Sequence, residues 1–139
     1  MSGETTRPKP APKPLGRRRA RRQALFLLYQ WDLTGQPLAS LYEGEPDEFA
    51  STLARAVADR AEELDRRITS ASQDWPADRL GTLERNVLRI GVYELEEGNV
   101  PREVAINEAV VLAKRYASED AARLVNGILG TIARGEEAA

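Results

Sequence analysis

Beyond Pro14, apolar residues recur three and four positions apart through nearly every stretch of the chain, and no convincing period-two strand or Asn-Gly hairpin stands out. The first pattern lines one side of a helix, whereas a period of two would be needed for a half-buried strand. The fold class is therefore all-α. Four of the eight prolines fall within residues 1–15, so most of the remaining chain is open to long helices. The segment MSGETTRPKPAPKPL has almost no side chain to bury, and it reads as a disordered Pro/Lys-rich arm.

The spacing predicts a first helix from Arg17 to Thr34, stopped by Gly35, with Ala20, Ala24, Leu27, Leu28 and Trp31 as its inward stripe. Arg18, Arg22, Leu25 and Tyr29 share the opposite face, with Arg21 at its edge. A short turn is expected at Leu38–Tyr42. A long helix is expected from Pro46 to Ser70, because proline and the acids Asp47 and Glu48 suit a helix start. Trp75-Pro76 then breaks the chain. After a short turn at Ala77–Leu80, a strongly apolar and hence central helix should span Thr82–Glu96, ended by Gly98. Pro101 permits the next start, with Ile106, Ala109, Val110, Ala113 and Tyr116 inward. Ser118 is the expected N-cap of a last helix reaching Gly135. Gly127 and Gly130 are costly inside a helix and are expected at a close helix–helix contact.

The chemistry available is narrow. Cysteine and histidine are both absent, which excludes Cys/His zinc sites, thiol nucleophiles and histidine bases. No P-loop or dinucleotide fingerprint is present, and the acidic residues show no metal-ligand spacing. Lys114 and Ser118 stand four apart, but a surface lysine beside an N-capping serine accounts for them. No catalytic residue, cofactor or metal is expected. No apolar run approaches a membrane span, and the basic amino terminus lacks the apolar core of a secretory signal. The expected location is the cytoplasm, without membrane contact.

Charge is more informative. The net charge of −2 conceals eight Lys/Arg against one acid in residues 1–22, while the remainder carries 12 bases and 21 acids. Arg17, Arg18, Arg19, Arg21 and Arg22 crowd a helix start, where the dipole disfavours each by about 0.3–1 kcal/mol. Phosphate relieves both repulsions. With Tyr29 further along as an aromatic platform, the five arginines are a candidate nucleic-acid site, though the pattern alone does not separate RNA from DNA.

RRRARRQALFLLYQWDL (Arg17–Leu33), DRLGTLERNVLRIGVYEL (Asp78–Leu95), VPREVAINEAVVLAKRYASED (Val100–Asp120) and RLVNGILGTI (Arg123–Ile132) together resemble the NusB family of bacterial transcription antitermination factors. The resemblance implies two small helical bundles packed together, over residues 16–137 with subdomains of roughly 16–74 and 75–137. It implies binding to the boxA element of nascent ribosomal RNA leaders alongside NusE, a ribosomal small-subunit protein. Other Nus factors and RNA polymerase would be engaged indirectly. By position, it implies RNA contacts at Arg18, Arg21, Tyr29, Asp78, Tyr116, Asp120 and Leu124, and a NusE-facing position at Glu84. Leu124 stands where many members have phenylalanine, so apolar contact would remain there without stacking. Asn107 and Asn126 are expected to cap or brace neighbouring structure. Two alternatives remain. One is the RNA-binding accessory domain of a ribosomal RNA methyltransferase, for whose catalytic domain 139 residues leave no room. The other is a protein-only adaptor or homodimer, against which the arginine cluster argues.

Overall fold

A computed structural model describes residues 16–72 and 77–138, without the side chains of residues 78 and 136–138. The expected arm at residues 1–15 and the expected break and subdomain boundary at Trp75-Pro76 lie outside the described residues. Among the described residues there are six helices and no strand: α1 (Arg17–Thr34), α2 (Glu48–Asp59), α3 (Ala61–Ala71), α4 (Thr82–Glu97), α5 (Arg102–Tyr116) and α6 (Glu119–Ala138). Short 3-10 turns at Leu38–Leu41 and Ala77–Arg79 join them. Helix α4 packs against all five other helices, α3 also packs on α6, and one buried apolar cluster draws on all six helices.

Local signals set most of the ends. Gly35 closes α1 at φ 73° and donates its N–H to the Trp31 carbonyl, and Gly98 closes α4 at φ 69° in the same way. A side chain in that left-handed conformation would be strained, so glycine is the stop. Ser118 Oγ accepts from the Ala121 N–H at 3.0 Å, which caps α6 as expected. The Lys114 ammonium lies 4.0 Å from Glu119. Helix α6 runs past Gly135 to Ala138, further than the glycine led us to expect.

The helix expected over 46–70 is two helices. Arg60 sits between α2 and α3 at φ −110°, ψ 14°, outside helical geometry. Its guanidinium reaches Glu96, Glu97 (3.4 Å) and Glu63 (3.3 Å), and lies 5.7 Å from the Tyr93 ring centre. Those partners lie on α3 and α4. The bend lets α2 bury Leu53 and Val57 while packing on α1, and α3 bury Leu64 and Ile68 while packing on α4.

Helix α4 is buried on every side from Asn86 to Val92. Two polar residues in that run, Asn86 and Arg89, need partners, because a buried unpaired polar group costs about 1–3 kcal/mol and a charge more. Asp32 on α1 supplies them. Its Oδ2 accepts from Arg85 (2.7 and 3.0 Å), Asn86 (3.0 Å) and Arg89 (3.0 Å), while Asp65 on α3 accepts from Arg89 at 2.6 and 2.7 Å. Burial alone would raise the Asp32 carboxyl, but the Arg85 hydrogen bond, the Arg89 charge and the Asn86 amide outweigh it and hold it below its ordinary value. Burial likewise opposes the charge on Arg89, and Asp65 and Asp32 overcome it, so its pKa is raised. The network ties α1 and α3 to α4.

The close helix approach falls at Gly91. A Cβ there would stand 2.6 Å from Leu129 Cδ1 and 3.4 Å from Ala109 Cβ, so only glycine lets α5 and α6 close on α4. Gly127 has nothing within 4 Å, and Gly130 meets only the end of the Arg134 side chain, so the expectation of close contact at those two is corrected. They lie on the outer side of α6.

Candidate nucleic-acid interface

Helix α1 starts at Gly16 without a side-chain cap, and its first turn has no acid. The crowded arginines therefore face the positive end of the helix dipole unrelieved from within the helix. The structure divides them between two sides of α1, with Arg21 bordering both.

Arg17 turns toward α2, where its guanidinium carbon lies 3.9 Å from the Phe49 ring centre, a cation–π contact. It lines a cavity of about 510 Å³ with Arg21, Phe49, Tyr93, Glu94 and Glu97 among its walls. Arg21 is only 3% exposed. Its Nε lies 2.9 and 3.1 Å from the two Glu94 carboxylate oxygens, and its Nη2 donates to Oε2 at 2.9 Å. Arg21, expected among the RNA contacts, thus has its fork engaged by a carboxylate inside the protein, although it also borders the cleft on the other side of α1. The physical reason is that Glu94, on central helix α4, is itself buried and would be uncompensated without it.

Arg18, Arg19 and Arg22 turn the other way and line a cleft of about 250 Å³ against α5, together with Arg21, Glu108, Val111, Leu112, Arg115 and Tyr116. Arg18 is mostly exposed, and its Nε donates to Glu108 Oε1 at 3.1 Å. Arg22 Nη1 approaches the Tyr116 hydroxyl at 3.5 Å, the outer limit of a hydrogen bond. The Arg115 guanidinium lies 5.5 Å from the Tyr116 ring centre. Tyr116 is also in T-shaped contact with Phe26, ring centres 5.1 Å apart. Five arginines thus line the cleft beside the Tyr116 ring, with Glu108 as the acid among the lining residues. Such a cleft attracts a polyanion and offers rings to its flat groups.

The arginine face of α1 is rotated by one residue from the expected one. Leu25 is fully buried and Phe26 is 39% exposed, so the row runs Arg18, Arg22, Phe26 at four-residue spacing. Tyr29, one turn further on, is half-buried. Asp120 is exposed and pairs with Arg123, and Leu124 is 39% exposed; both lie in the first two turns of α6, just after Tyr116. Glu84 is half-buried in the first turn of α4, its carboxylate folded over Gly81. Asp78 lies in the 3-10 turn before α4, and its side chain is outside the described residues. Asn107 and Asn126, expected to cap or brace neighbouring structure, are both exposed. Phe26, Glu108 and Arg115 were missed in the sequence. Counting four on from Arg22 finds Phe26, but nothing local brings Glu108 and Arg115 to α1.

Among the described residues no group of three or more Asp or Glu is placed to hold a metal, and no helix is long and apolar enough to cross a membrane.

A sequence model of the NusB family matches residues 18–134. The transcription antitermination protein NusB of Rubrobacter xylanophilus is 42% identical over 122 residues, covering 83% of this chain and 88% of that protein. A crystal structure of the antitermination factors NusB and NusE with double-stranded RNA superposes with a TM-score of 0.74 at 32% identity, covering 86% of this chain and 96% of the other. NusB from T. maritima gives a TM-score of 0.76 at 33% identity, covering 87% and 92%.

Proposed function

This chain belongs to the NusB family, and from that premise we propose that it is a transcription antitermination protein that binds RNA jointly with NusE. The observation that carries the RNA reading is the α1/α5 cleft, where Arg18, Arg19, Arg22 and Arg115 gather around Tyr116. That arrangement suits phosphates held by arginine forks and bases lying on rings. The RNA is the boxA element of ribosomal RNA leaders, and Asp120 and Leu124 at the start of α6 extend the same contact surface. Arg17, on the far side of α1, and Tyr29, further along it, lie at the margins of this path. NusE docks at the start of α4 around Glu84. The protein works as a non-enzymatic adaptor in the cytoplasm, joining RNA to a polymerase-bound assembly through NusE and other Nus factors.

The test is RNA affinity for this protein alone, NusE alone and the two together. Coupling between two ligands on one scaffold is typically about 1–3 kcal/mol, or roughly 5- to 150-fold. We expect RNA to bind more tightly at saturating NusE. Unchanged affinity there would overturn the joint reading.

A further inference from the structure

We propose that Phe26 is a stacking platform of the α1/α5 cleft, on which one unpaired RNA base lies while Arg18 and Arg22 hold neighbouring phosphates. The inference rests on the reading of that cleft as an RNA site, and it adds a residue and a preference for unpaired over paired strands.

The chain has two phenylalanines. Phe49 is covered by the Arg17 guanidinium at 3.9 Å. Phe26 is 39% exposed, although the positions either side of it, Leu25 and Leu27, are buried. It sits one helical turn, about 6 Å along the axis, beyond Arg22. Its ring contact in the structure is the T-shaped one with Tyr116, whose hydroxyl faces Arg22. An edge-to-face pair covers at most one face of one ring, so the pair still presents π surface at the end of the arginine row. Val111 and Leu124, also exposed, supply apolar contact without a π face. An exposed phenylalanine in line with two arginines, and in contact with the ring that floors a cationic cleft, is placed for a flat group joined to phosphates. A base within a duplex already has its faces covered by its neighbours, so the platform selects an unpaired one.

The experiment compares Phe26→Leu and Phe26→Trp with the unmodified protein. The probes are a short single-stranded RNA carrying 2-aminopurine and the duplex of the same sequence. Leucine keeps the apolar volume without the π face, and both variants are first shown to melt like the parent. Phe26→Leu should weaken single-strand binding by between about fivefold and 150-fold, the range for losing one stacked base. It should leave duplex binding and the salt dependence unchanged, and reduce the quenching of 2-aminopurine; Phe26→Trp should restore both affinity and quenching. If Phe26→Leu binds the single strand as the parent does while Arg18→Ala/Arg22→Ala weakens it, the stacking platform is refuted and the cleft reading stands. If neither changes RNA binding, the cleft reading itself fails. If Phe26→Leu impairs NusE binding but not RNA binding, the ring is a protein contact and the proposal is overturned.

Discussion

Arg21 gives the sharpest test, because a residue counted by position among RNA contacts is placed by the structure inside the protein. Its side chain is 4% exposed and that of Glu94 8%, and the pair is bidentate with N–O distances of 2.9–3.1 Å. Removing one member of such a pair leaves a buried charge unpaired and costs about 3–5 kcal/mol. For a domain of this size each kcal/mol moves the Tm by roughly 3–5 °C, so Arg21→Ala should melt about 10–20 °C early. The double variant Arg21→Met/Glu94→Leu removes both charges and keeps the volume, and should recover most of that loss. Calorimetry measures both. The RNA measurement is made at a temperature where the variants are folded. There the double variant should retain the salt dependence of the parent, whereas Arg18→Ala/Arg22→Ala should flatten the slope of log affinity against log salt by up to about 1.4. The reasoning is refuted if Arg21→Ala melts within a few degrees of the parent yet flattens the salt slope. Arg21 would then be a phosphate ligand and its pairing with Glu94 incidental.

Glu108→Gln should free Arg18 from its carboxylate partner and steepen the salt slope by a fraction of the ~0.7 expected per phosphate contact, with tighter RNA binding in a gel shift; weaker binding would show that Glu108 positions Arg18 instead. Asp32 is held below its ordinary pKa, so its stabilising contribution is present above the unfolded-state value and is lost as pH falls through the folded one. Urea denaturation across the acid range should therefore show a stability loss in the parent that Asp32→Asn, already destabilised at neutral pH, largely lacks; parallel pH curves would exclude the network as its source. Gly91→Ala forces a Cβ against Leu129 and should cost about 1–3 kcal/mol, whereas Gly127→Ala meets nothing and should stabilise by roughly 0.5–1 kcal/mol. Thermal melts of the two should move in opposite directions.

What the sequence determined by itself is what depends on neighbours along the chain. The ends of α1 and α4 follow from Gly35 and Gly98, since only glycine enters the left-handed turn without strain, and the start of α6 follows from the reach of the Ser118 hydroxyl. The central place of α4 was legible because its apolar residues spread all round the helix. The clustering of arginines at the start of α1 was legible too, but not their division. Tertiary structure alone decided that Arg21 turns inward, because its partner Glu94 is 73 positions away and buried on another helix. It decided that the chain bends at Arg60, where acids on α3 and α4 draw the guanidinium, and that Gly91 rather than Gly127 or Gly130 marks the close approach. Helical periodicity places a residue on a face to within about one position, and that margin separates fully buried Leu25 from exposed Phe26. Which side of that margin meets the core is set by the helices packed against α1, so four-residue spacing offers Phe26 as a neighbour of Arg22 but only the packing shows that it borders the cleft.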